Sequence, residues 1–385
     1  MINFISKTLI NIKLAFQYRW KIFFLSLVIQ FIMASLIHFG TQVPEALEFL
    51  YLPKIQAQVS SEVTKISSPQ QPSVMETIKP KLEQKPNTFQ LKNTQSWISS
   101  AYAAGEYDQA SSYVVIDYNT GEVLTKKNAD TPVYIASLTK IMTAIVAMDL
   151  ASLEDRFTVS QRAASIIPTK IGVVAGQQLN LNELLHASMM TSANDAVQVI
   201  NEGIDNQYQQ EVFVKAMNAK AQVLGLKNTH FENPQGFDSQ AQYSSAADLA
   251  ILSHYALENY PEIKNILSKQ YEFLPADSFH KQFDLYNWNG LLGVYPGVEG
   301  LKIGNTEEAG YTTVVVSTRR SENQKTGISE DKNILIVLLG APGVLERDLW
   351  ASQLLDLGFE KLGLPAVNIT PERLQQKYST WKYWG

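Results

Sequence analysis

Cysteine is absent from the 385-residue sequence. That excludes disulfides, thiolate metal sites and cysteine nucleophiles. It also suits a chain that works outside the cytoplasm and avoids stray oxidation. A net charge of −5 leaves no basic footprint for nucleic acid. Glycine-rich phosphate loops are missing. His186, His230 and His254 are scattered without metal-ligand spacing and read as helix-surface or core residues. No metal and no cofactor is expected. What is left, 45% hydrophobic and 18% charged residues, is the composition of a globular protein.

Acidic residues are also missing before Glu45. Lys7, Lys13, Arg19 and Lys21 precede an uncharged apolar run over 22–39. A run of about 18 residues is long enough to span a bilayer, and its basic flank should stay in the cytoplasm. Residues 1–21 therefore read as a cytoplasmic basic segment and 22–39 as a transmembrane anchor. The rest would lie on the far side of the cell membrane. A cleaved signal peptide is the rival, but the small-residue sequence "YAAG" at 102–105 is too far downstream to serve it. Residues 40–107 read as a flexible linker. Its Ser-, Gln-, Pro- and Lys-rich text sustains no period, so it should not bury enough apolar surface to offset its ordering entropy.

Residues 108–362 carry the folded pattern. Strand-like runs at 112–117 and 122–126 flank a turn at Gly121. Helical patterns follow at 135–150, 181–190, 195–202, 210–224 and 246–257. Short β-branched runs at 300–303, 312–318 and 334–339 precede a last helix at 345–362. This order predicts an α+β domain, with the terminal strands meeting in one antiparallel sheet. Residues 363–385 form a tail rich in Tyr and Trp, able to pack on the domain, touch a membrane or meet a partner.

The chemistry starts at "YIASLTKIMTA" (134–144). Ser137 and Lys140 stand three apart at a helix start, without a nearby carboxylate. Residues three apart share a helix face. A serine hydroxyl needs a base, and lysine is one only if burial and a second cation lower its pKa. Helix-start N–H groups can stabilise an oxyanion. By itself S-x-x-K occurs by chance in many chains. Ser192-Ala193-Asn194 adds a polar pair between apolar helices, able to relay a proton and hold an amide, or simply to cap the next helix. Lys302 lies on an apolar strand before Gly304. It is either a solvated edge residue or the second cation, with Gly304 admitting substrate backbone.

This trio resembles the penicillin-binding proteins and serine β-lactamases. The texts "SANDA", "NPQGFDSQAQYSSAADLA", "NGLL" and "GLKIGNTEEAGY" resemble the D-alanyl-D-alanine carboxypeptidases in particular. The resemblance implies a transpeptidase-like fold with flanking helices and a helical subdomain. It implies peptidoglycan stem peptides as substrate and β-lactams as ligands. Ser137 would attack the carbonyl between two D-alanines, with Lys140 as base. Ser192 would pass a proton to the leaving amine, Asn194 hold the substrate amide, and Lys302 supply positive charge. The N–H groups of Ser137 and Asn305 would form the oxyanion hole.

Two positions depart from the family. Its Lys-Thr-Gly motif here reads Lys302-Ile303-Gly304, without the hydroxyl that binds a terminal carboxylate. Trp288 stands where some members carry an arginine for the same carboxylate, and no arginine occurs between Arg162 and Arg319. Three readings follow. The first is a carboxypeptidase with Lys302, Asn305 or Thr306 covering the carboxylate. The second is an endopeptidase on cross-links with Trp288 stacking on the larger group. The third is a weakened domain that mainly binds peptidoglycan. A class A β-lactamase is disfavoured, since Leu179-Asn180 follows Gly176, Gln177 and Gln178 rather than the required glutamate.

Overall fold

The computed structural model describes residues 73–93, 105–322 and 329–381. The anchor expected at 22–39 lies outside these residues. Among the described residues no helix is long and apolar enough to cross a membrane.

In chain order the elements are α1 (Val74–Leu82), β1 (Ser112–Asp117), β2 (Val123–Lys127), a 3-10 turn (Ala136–Thr139) and α2 (Lys140–Leu150). Then come β3 (Arg156–Thr158), α3 (Gln161–Ala164), β4 (Gln178–Asn180), α4 (Leu181–Met190), α5 (Asn194–Tyr208) and α6 (Phe213–Leu224). After these follow α7 (Ala246–Asn259), α8 (Pro261–Ser268), β5 (Tyr271–Leu274) and β6 (Phe283–Tyr286). The chain closes with β7 (Val298–Thr306), β8 (Gly310–Glu322), β9 (Ser329–Ala341), α9 (Val344–Lys361) and α10 (Pro371–Tyr378).

The expected sheet is present. Its order is β2-β1-β9-β8-β7, antiparallel throughout. Strand alternation divides its side chains between two cores. Val114, Ile116, Val314, Leu335 and Val337 face the helical lobe. Val115, Val315, Ile334, Ile336 and Leu338 face α9 and its neighbours. Because both faces are covered, β9 reads as an unbroken apolar run, "ILIVLL", rather than as an alternation.

One expectation fails over 73–93, which were read as part of the linker. Ser73 and Glu76 form a capping box that starts α1. Ile78 and Leu82, one turn apart, are fully buried in the helical-lobe core, each contributing about 1.5–3 kcal/mol. Lys220 Nζ donates to Leu82 O at 2.7 Å, and Phe89 stacks on His254 at 3.6 Å. Two apolar positions in a Pro- and Lys-rich text are too few to register as a period. The tail takes the first of its three options: α10 buries Leu374 against the domain.

Candidate active site

The Ser-x-x-Lys motif is not helical from its first residue. Ser137 lies in the 3-10 turn, and Lys140 opens α2. In a 3-10 turn residues i and i+3 eclipse, so the two side chains meet more directly than on an α-helix. Lys140 Nζ stands 2.8 Å from Ser137 Oγ. Ala136, just before it, holds φ 49°, a left-handed conformation costly for a residue with a Cβ.

Lys140 is fully buried. Its amine has two further oxygen neighbours, Asn194 Oδ1 at 2.9 Å and the main-chain carbonyl of Gln235 at 2.6 Å. A neutral amine has two N–H groups and one lone pair. The two carbonyl oxygens only accept, so they take the N–H groups. Of the three neighbours only Ser137 can donate, so the lone pair faces its O–H. Burial holds the Lys140 amine well below the ordinary lysine range, and the charge of Lys302 lowers it further.

Lys302 sits on β7, an edge strand, yet it is 1% exposed and not a solvated edge residue. Its amine donates to Ile303 O at 2.9 Å. Burial first, then Arg347, pushes it down to about 7. Arg347, from α9, is buried and held bidentately by Asp348 at 2.7 and 2.9 Å. Tyr378, from α10, donates to the same carboxylate at 2.8 Å.

Gly304 lies against the turn that carries Ser137. A Cβ there would come 2.7 Å from the Ser137 nitrogen and 2.8 Å from Thr312 Oγ1. Gly236 abuts the same turn, where a Cβ would meet Ala136 O at 2.0 Å. Both glycines line a groove of about 530 Å³. Ser137, Ser192, Asn194, Trp288, Ile303, Gly304, Asn305 and Thr306 all line it. Of the ten positions singled out in the sequence, the two lysines alone are not in the lining; they lie buried beside it.

The polar pair is not an ordinary cap. The N-cap of α5 is Ala193, which makes no side-chain bond. Ser192 takes φ 60° and faces the groove. Asn194 Nδ2 donates to Ile167 O at 3.3 Å. Asp195, in the first turn of α5, accepts from the N–H groups of Ile171, Gly172 and Val173 at 2.8–3.2 Å. It thereby pins the segment whose upstream end, Ile167 to Lys170, walls the groove.

Thr306 is not free to cover a carboxylate. Its hydroxyl donates to Asp238 Oδ1 at 2.7 Å and accepts from Ala309 N at 3.1 Å. Three contributors went unread in the sequence. Gln235 acts through its main-chain carbonyl, which leaves no side-chain signal. Arg347 and Asp348 lie far down the chain, and only the packing of α9 brings them beside Lys302. Among the described residues no group of His, Asp or Glu is arranged to hold a metal.

The sequence pattern of the family described as D-alanyl-D-alanine carboxypeptidase (Peptidase_S11) matches residues 99–329, more than half of the chain. The chain belongs to this family. The carboxypeptidase DacF of Bacillus subtilis is 34% identical over 258 residues, covering 66% of this chain and 63% of that protein. The carboxypeptidase DacA of Escherichia coli is 32% identical over 287 residues, covering 71% and 66%. The chain thus spans just under two thirds of these relatives' own length. Among solved structures, the Streptomyces K15 DD-transpeptidase superposes with a TM-score of 0.59 at 26% identity, covering 65% of this chain and 97% of that one. Penicillin-binding protein 5 of Haemophilus influenzae gives 0.58 at 30% identity, covering 68% and 73%. The family membership and these neighbours agree with the antiparallel sheet and flanking helices described above.

Proposed function

We propose that the protein is a serine DD-peptidase that removes the terminal D-alanine from peptidoglycan stem peptides. The observation that carries this is the Lys140 amine, buried, held well below the ordinary lysine range by its surroundings and 2.8 Å from Ser137 Oγ. Ser137 attacks the carbonyl between the two D-alanines as its proton passes to Lys140. The resulting oxyanion meets the N–H groups of Ser137 and Asn305. Ser192 returns a proton to the leaving amine, and Asn194 holds the substrate amide. Water then attacks the acyl-enzyme and frees Ser137. Positioning and proton transfer of this kind contribute about 10²–10⁴-fold. β-Lactams acylate Ser137 by the same route and leave slowly.

The relatives' names support release of the terminal alanine over cleavage of cross-links. The two carboxylate donors of the family are still replaced by Ile303 and Trp288, which both line the groove. Asn305 in the groove wall is then the group left to meet a terminal carboxylate, with Lys302 acting through its charge from its buried place beside the groove. The larger-substrate reading stands second, carried by Trp288 in the groove wall. We further read the apolar run at 22–39 as an anchor that keeps the enzyme at the cell membrane, facing the wall.

Digestion of purified peptidoglycan, with products identified by mass, tests the reading. Loss of terminal alanine is expected. Loss of cross-links selects the endopeptidase, and no change sinks both. Labelling with a fluorescent penicillin should occur in the wild type and vanish in Ser137→Ala.

A further inference from the structure

Gln235 lines two cavities, the catalytic groove and a polar cavity of about 680 Å³ that also holds Gln198, Asn201, Glu202 and Lys215. A chain of hydrogen bonds runs from this second cavity to the catalytic base. Gln198 Nε2 donates to Glu202 Oε1 at 2.8 Å. Gln235 Nε2 donates to Gln198 Oε1 at 2.7 Å. The main-chain carbonyl of Gln235 then accepts from Lys140 Nζ at 2.6 Å. An ionised carboxylate only accepts, so Glu202 fixes which end of the Gln198 amide faces it, and Gln198 in turn fixes Gln235.

Gln198 and Gln235 are each 3% exposed. Gln198 lies among apolar residues of α5, in "DAVQVI". A buried amide is costly unless bonded at both ends, and an aliphatic side chain would pack there without that demand. The strut has a counterpart next door: Thr143 Oγ1 donates to Pro234 O at 2.7 Å. The segment that carries the carbonyl is thus tied on both sides of Gln235. Asn233 Oδ1 adds bonds from the N–H groups of Gly236 and Phe237 at 2.8 and 2.9 Å.

We propose that Gln198 is a positioning residue for Lys140. By holding the Gln235 side chain it fixes the carbonyl that takes one N–H of the amine, and so aims the lone pair at Ser137 Oγ. It touches neither substrate nor reacting atoms. The inference rests on the peptidase reading, with Lys140 as base. Displacement of a catalytic group by about 1 Å costs on the order of 10²-fold. A loosened but still present carbonyl should cost about tenfold.

The test is stopped-flow acylation of the full chain by a fluorescent penicillin, resolving the saturating acylation rate from the affinity of the initial complex. Gln198→Met keeps volume and removes both bonds. The expected result is a saturating rate about tenfold lower, initial affinity within about twofold, and a folded protein by thermal melting. A folded variant with an unchanged rate, or with only the affinity altered, overturns the proposal. Should Gln198→Met not fold, Glu202→Leu decides at the more exposed end of the chain. A rate about threefold lower supports the strut, and an unchanged rate overturns it. A wild type that takes no label sinks the peptidase reading and the strut together. A labelled wild type with wild-type rates in both variants sinks the strut alone.

Discussion

The two lysines of the groove are both buried and both held below the ordinary range, but their surroundings differ. Lys140 is set among three oxygens, from Ser137, Asn194 and Gln235. Lys302 has the neighbouring carbonyl of Ile303, and its electrostatic partner is another cation, Arg347. Lys302 in turn is the cation that lowers Lys140. Arg347 on α9 therefore disfavours the charged form of Lys302 on β7, and Lys302 disfavours that of Lys140 on α2. Arg347 keeps its charge through Asp348. Residue type does not separate base from cation here. The oxygens around Lys140 turn its amine toward a hydroxyl, while among the described residues Lys302 donates to the carbonyl of Ile303.

The comparison is broken most severely at Lys140. Lys140→Met should lower the acylation rate by about 10²–10⁴-fold while the initial β-lactam complex still forms, as read by stopped-flow labelling. Lys302→Met should act less directly. With its charge gone the Lys140 pKa rises, so the rising limb of the acylation profile moves to higher pH. A limb that stays in place or moves down would detach the two amines. Ile303→Thr restores a hydroxyl to the wall of the groove. A hydrogen bond to a charged group is worth about 1.5–3 kcal/mol, so D-alanine release from a pentapeptide should gain roughly tenfold in kcat/KM. Tyr378→Phe probes the far end of the Lys302 side. It removes one bond to Asp348 and should cost about 1–2 kcal/mol by denaturant melting, with acylation changed less than twofold, because the Arg347–Asp348 pair remains.

The same contrast marks what the sequence made legible. Ser137 and Lys140 were readable because their spacing alone brings them together, and the 3-10 turn only tightened the fit. Lys302 was readable as a polar residue on an apolar strand. Its burial was not, since that depends on α9 closing over the sheet. The main strands and long helices followed from their periods. The two-stranded sheets β3–β4 and β5–β6 have three and four residues per strand, too short to show alternation. The Gln198 strut was invisible for a different reason: a lone glutamine in an apolar helix declares its partners only once the fold is known.

The most direct test is the pH dependence of acylation at Ser137, followed by intact mass and peptide mapping after exposure to a β-lactam. An ordinary lysine titrates near about 10.4. The account predicts a rising limb far below that value, set by Lys140. It also predicts a fall as pH climbs past about 7, where Lys302 loses its charge. Acylation that climbs only toward pH 10, or an adduct on a residue other than Ser137, would contradict it.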